Sequence, residues 1–144
     1  MNLQRIRSDT MIVYHNSIIT LDYDPATDIL EVALPDMQAH SISEVERCLH
    51  IIVEHVISYD VKKLLLDSSK AVVEVEDETY RSLILQFSRE LINTRLQKVA
   101  RIATPVASQE HRANLMAQEV HQLKPAVAYE NFAGRAAALD WLLV

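Results

Sequence analysis

Leu64-Leu65-Leu66-Asp67-Ser68-Ser69 is the stretch that decides the fold. An unbroken apolar run that stops at an acid and two serines reads as a strand buried on both faces, here from Val61 to Leu66. Such strands lie in sheets with helices on each side. In those sheets, loops and ligands gather at the carboxyl edge. Asp67, Ser68 and Ser69 therefore stand where a site is expected.

Toward the N-terminus, Met11-Ile-Val-Tyr14 and Ile18-Ile-Thr-Leu21 are rich in β-branched and aromatic residues and predict strands. Residues 22–28 carry turn chemistry, because Asp24-Pro25 presets one backbone angle and Asp28 bonds backbone locally. Ile29 to Leu34 returns as a strand. Ile29, Glu31 and Ala33 lie on one of its faces, and Leu30, Val32 and Leu34 on the other. Two runs around a short turn predict an antiparallel hairpin. Pro35 ends the second run. Ser43 with Glu46 three residues on is a capping-box pattern. Val45, Leu49, Ile52 and Val56 then repeat at helical spacing over 43–58.

Toward the C-terminus, residues 70–76 form a long connection, a place where function often sits. Asp77 is the expected N-cap of a helix whose buried stripe is Tyr80, Leu83, Ile84, Phe87 and Leu91. Val99 to Ala103 is a strand stopped by Thr104-Pro105. Ser108 is the expected cap of a helix to about Leu123, with Leu115, Met116 and Val120 turned inward. Ala126 to Tyr129 is a last strand. Gly134 to Leu143 is a last helix, with Ala136, Leu139 and Leu143 on one face. Right-handed crossovers make the later strands parallel. The expected fold class is α/β: a mixed sheet opened by an antiparallel hairpin, with helices flanking both faces. Residues 1–10 are read as an arm or the start of the first strand, and 11–144 as one domain.

The composition, 49% hydrophobic and 24% charged, is that of a globular chain. A net charge of −6 argues against nucleic acid and against anionic membrane. No apolar run approaches the roughly 20 residues of a membrane span. Residues 1–10 lack the apolar core of a signal peptide. The one cysteine, Cys48, excludes an internal disulfide and suits a reducing cytoplasm. The one glycine, Gly134, leaves no phosphate-binding loop or dinucleotide fingerprint.

Three segments in this order resemble the SpoIIAA-like branch of the STAS superfamily. They are Val61-Lys-Lys-Leu-Leu-Leu-Asp67, Lys98-Val-Ala-Arg-Ile-Ala103, and Phe132 followed by Arg135-Ala-Ala-Ala-Leu-Asp-Trp-Leu142. The resemblance implies a STAS-like mixed sheet and a noncatalytic domain acting through protein contacts. In the anti-sigma-factor antagonists of that superfamily, a serine at the start of the helix after the central strand is phosphorylated. That position falls here at Glu76-Asp77, which carries no hydroxyl. An acid there would already supply the negative charge that phosphate adds elsewhere. No stoichiometric phosphate is accordingly expected at Ser68, Ser69 or Thr79.

The candidate rim for a partner or ligand is Asp67, Ser68, Ser69, Glu76, Asp77, Thr104 and Ser108. Its plain alternative is a set of capped, solvated loops. Serine-hydrolase chemistry is disfavoured, because Leu66 and Lys70 flank the serines where a nucleophile elbow needs glycines. The six histidines show no metal-ligand pattern. His50 and His55 diverge by roughly 140° on a helix, and His111 and His121 by roughly 80°. No cofactor, metal or catalytic residue is expected. Trp141 is either core or a contact with a second copy of the chain.

Three functional readings follow. The leading one is a noncatalytic STAS-like regulatory or protein-interaction domain with an unidentified protein partner. The second is a carrier of a small apolar or anionic ligand held between helices and sheet. The third is an enzyme, supported only by Ser68 and Ser69. A sizeable apolar pocket favours the carrier, its absence the interaction domain, and a bonded polar pair in a cleft the enzyme.

Overall fold

The structure, a computed structural model, describes residues 10–144, so the expected N-terminal arm lies almost wholly outside the described residues. Strands β1 (Met11–His15), β2 (Thr20–Asp24) and β3 (Ile29–Ala33) form an antiparallel meander. The β1–β2 turn closes on Asn16, whose Oδ1 accepts the N–H groups of Ile18 and Ile19, both at 2.8 Å. In the β2–β3 turn the local work falls to Asp24, which accepts Ala26 N–H and Thr27 Oγ1–H. Asp28 differs from expectation. It sits at φ 59° and reaches away from the turn, accepting Tyr23 Oη–H at 2.7 Å and Lys62 N–H at 3.0 Å.

The chain then runs β4 (Met37–Gln38), α1 (Ile42–Ser58), β5 (Lys63–Asp67), β6 (Val73–Glu74), α2 (Asp77–Ile92), β7 (Lys98–Ile102), α3 (Ala107–His121), β8 (Ala128–Phe132) and α4 (Arg135–Leu142). The main sheet has the order β1-β2-β3-β5-β7-β8, with β3, β5, β7 and β8 parallel. The fold is therefore the expected α/β mixed sheet. The connection at 70–76 is not irregular throughout, because β6 pairs with β4 in a second, two-stranded sheet.

Each parallel step moves the same way across the sheet. Right-handed crossovers then place α1, α2 and α3 on one face, leaving the other for α4. Register explains the unbroken Leu64-Leu65-Leu66 run. Leu64 and Leu66 join Leu30, Val32 and Val99 in the core under the first three helices. Leu65 joins Ala100, Ile102, Ala138 and Leu142 beneath α4. Burying such a side chain stabilises the fold by roughly 1.5–3 kcal/mol. Lys98 closes the far end of α4. Its Nζ donates to the carbonyls of Trp141 and Val144 and lies 4.9 Å from the Trp141 ring centre, a favourable place for a cation. Trp141 is half-buried and packs on Phe132.

The helix starts and two helix faces differ from the sequence reading. Ser43 lies inside α1, after an N-cap at Ser41. The reciprocal side-chain pattern belongs instead to Gln38 and Ser41, around the short 3₁₀ turn before the helix. Asp77 is the first helical residue of α2, and its N-cap is the extended Glu76. Ser108 lies inside α3, after an extended Val106. None of these N-caps closes its helix with a side-chain bond. On α3 the buried residues are Ala113 and Met116, while Leu115 is 51% exposed. On α4 they are Ala138 and Leu142, while Ala136 and Leu143 face solvent.

Candidate functional site

The rim residues follow β5 and β7 at one edge of the sheet. Ser68 N–H donates to Ile102 C=O at 3.1 Å, and Ala103 N–H donates to Phe132 C=O at 2.8 Å, which ties the three strand ends together. Pleating then divides the cluster between the two faces. Asp67 turns toward the α4 side, where its Oδ1 accepts Ser69 N–H at 2.9 Å and Ser69 Oγ–H at 2.6 Å. Ser68 and Thr104, both buried, turn toward α2 and α3. Ser108, Glu76 and Asp77 are exposed and do not join them. Asp77 Oδ1 accepts Arg112 Nη1–H instead of closing the helix start. Asp77→Ala is thus expected to shift stability by no more than about 0.5 kcal/mol. Urea unfolding checks this, and a loss of about 1 kcal/mol would restore Asp77 as a cap.

Ser68 and Thr104 border a cavity of about 430 Å³ between the sheet and helices α2 and α3. Its walls are largely apolar: Leu66 and Val99 from the sheet, Ile84 and Phe87 from α2, Met116 and Val120 from α3. The volume falls in the range of small-molecule sites. Helix α3 forms one wall of this cavity. Polar bonds hold this helix as much as packing does. Gln109 bonds Ala71 C=O and Val73 N–H, Arg112 bonds the carbonyls of Val73 and Val75, and Glu119 takes Arg81 through two bonds.

One wall is charged. Arg101 is 8% exposed and shares a face of β7 with Val99. Its Nη1 donates to both oxygens of Glu110 at 2.9 Å and to Asn131 Oδ1 at 3.2 Å. Glu110 also accepts Thr104 N–H at 3.1 Å. Burial pushes the Glu110 carboxyl up, but the bonds from Arg101 and Thr104 outweigh it and hold the group below its ordinary range. Burial likewise disfavours charged Arg101, and the Glu110 bond, with smaller contributions from Tyr129 and Tyr80, more than offsets it. Burial raises the Tyr80 phenol above its ordinary value, although Arg101 and Arg112 pull it down. Tyr129 is 42% exposed, yet its hydroxyl interacts with the same cluster, and burial pushes its pKa up to about 12. The Arg112 guanidinium lies 4.6 Å from the Tyr80 ring centre.

Of the sequence candidates, only Ser68 and Thr104 reach this cavity. Tyr80, Arg101, Glu110, Arg112 and Tyr129 were not among the candidates. The available signal was Arg101 itself, a charge in the middle of a strand whose neighbours read as core. Ser68 Oγ–H donates to Ile102 C=O at 2.9 Å, and Thr104 Oγ1 accepts Val106 N–H at 3.2 Å, so neither bonds to a base through its hydroxyl. Burial raises the Cys48 thiol, which accepts Asn16 Nδ2–H at 3.9 Å. Among the described residues no group of three acidic, histidine or cysteine side chains could hold a metal, and no helix is long and apolar enough to cross a membrane. No protein-family model, curated protein or solved structure matches the chain.

Proposed function

We propose that this protein is a noncatalytic binding module that holds a small, mainly apolar molecule between its sheet and helices α2 and α3. The observation that carries this reading is the 430 Å³ cavity with its apolar walls. Contact with a protein partner needs no such internal space, so ligand binding stands ahead of the interaction-only reading. The hairpin followed by strand–helix units supports a STAS-like assignment, in which an occupied cavity would alter the surface that α3 presents to a partner. A cytoplasmic site of action belongs to the same proposal and rests on the single, buried Cys48.

The test uses the neutral fluorescent probe N-phenyl-1-naphthylamine. Saturable binding at one site per chain is expected. Ala117 borders the cavity from α3, so Ala117→Trp should fill the space and weaken the probe at least about tenfold. Absence of saturable binding by the wild-type chain, or equal binding by a folded Ala117→Trp variant, overturns the reading.

A further inference from the structure

The polar end of the cavity is rich in hydrogen-bond donors. Tyr80 is 8% exposed and lines the cavity, and its hydroxyl, which is not sealed from solvent, makes no hydrogen bond among the described residues. Arg101 bonds Glu110 and Asn131 through Nη1 and interacts with the Tyr129 hydroxyl, and its five N–H groups exceed these partners. Thr104 is 7% exposed, and its Oγ1 accepts one bond while keeping its own proton to give. Glu110 is occupied by Arg101 and by Thr104 N–H. The empty positions thus call for acceptors.

The charges set the ligand's valence. Arg101 and Arg112 line this end; Glu110, bonded to Arg101 behind the wall, is largely buried, whereas Glu130, the carboxylate that itself lines the cavity, is exposed and screened by water. The acidic partner of Arg112 is Asp77, which is 91% exposed and screened by water. One positive charge is left over. A monoanion balances it, whereas a doubly charged head would meet Glu110 without compensation.

Building on the cavity reading, we infer that the ligand is a monocarboxylate with an apolar tail. Its head accepts bonds from Tyr80, Thr104 and Arg101, and its tail lies along α2 and α3. These three donors recognise the carboxylate, and the apolar walls take the chain.

A matched series with one tail tests this: decanoate, 1-decanol and decyl phosphate, each titrated calorimetrically. Decanoate is expected to bind at least about tenfold more tightly than the other two, because hydrogen bonds to a charged group are the stronger ones. Tyr80→Phe keeps the ring over Arg112 and should weaken decanoate about tenfold. Glu110→Gln keeps the shape of the Arg101 partner while removing a negative charge, and should tighten decanoate several-fold with little effect on 1-decanol. Near-UV circular dichroism and the neutral probe confirm that each variant keeps its fold and cavity. If 1-decanol or decyl phosphate binds as well as decanoate, or if Tyr80→Phe and Glu110→Gln leave decanoate unchanged, the inferred head group is wrong while the cavity reading stands. If decanoate and the neutral probe both fail to bind, the cavity reading falls as well.

Discussion

Leu65→Ala is expected to destabilise the protein by about 3 kcal/mol, the middle of the range for deleting a buried leucine. Leu65 is fully buried at the centre of β5. Its side chain lies under α4 with Ala100, Ala138 and Leu142. Two of those neighbours are alanines, with no side-chain length to swing into the space left behind. The short α4, Arg135–Leu142, also has few other apolar contacts that could compensate. For a chain of this size the loss should lower the melting temperature by roughly 10 °C. Chemical denaturation with an unchanged m-value checks it. A loss below about 1 kcal/mol would mean that α4 is not packed on the sheet in solution.

Arg101→Met is expected to cost about 3 kcal/mol at neutral pH, through the carboxylate it strands rather than through lost packing. Glu110 is 21% exposed over its side chain and would keep only Thr104 N–H and partial hydration. The double variant Arg101→Met/Glu110→Gln should recover more than half of that loss, because no charge is then left unpaired. The pH dependence has a definite sign. The Glu110 carboxyl is held below its ordinary value in the folded chain. Its contribution is therefore complete above the unfolded value of about 4.3 and is lost as pH falls through the lower folded value. The gap between wild type and Arg101→Met should narrow below about pH 4. Equal stability of Arg101→Met and the double variant at pH 7 would show that the stranded carboxylate is not the source of the loss.

The strands were legible because their signals are local. The Leu64-Leu65-Leu66 run needs burial on both faces whatever surrounds it, and the alternation over Ile29–Ala33 assigns faces by period alone. Val45, Leu49, Ile52 and Val56 worked for α1 in the same way, because that helix rests fully on the sheet core. Helical spacing misassigns faces where a helix borders a cavity. Leu115 looked inward by composition, yet α3 stands over a cavity held by Gln109, Arg112 and Glu119, so its apolar residues divide between cavity wall and solvent. The caps failed for another reason. Ser43, Asp77 and Ser108 are acceptable anywhere in a first turn. Where each helix begins is decided by the preceding backbone, which packing holds extended at Glu76 and Val106.

By itself the sequence determined the hairpin, the parallel strands after it and the edge at which Asp67, Ser68 and Thr104 emerge, since period, crossover handedness and turn chemistry act over short distances. Only the tertiary structure decided which of those hydroxyls share a surface, and that Tyr80, Arg101 and Arg112 surround one space with Glu110 bonded to Arg101. A cavity is a difference between the separation of packed elements and the bulk of the side chains that fill it. That difference belongs to three elements at once and leaves no periodic mark in any one of them.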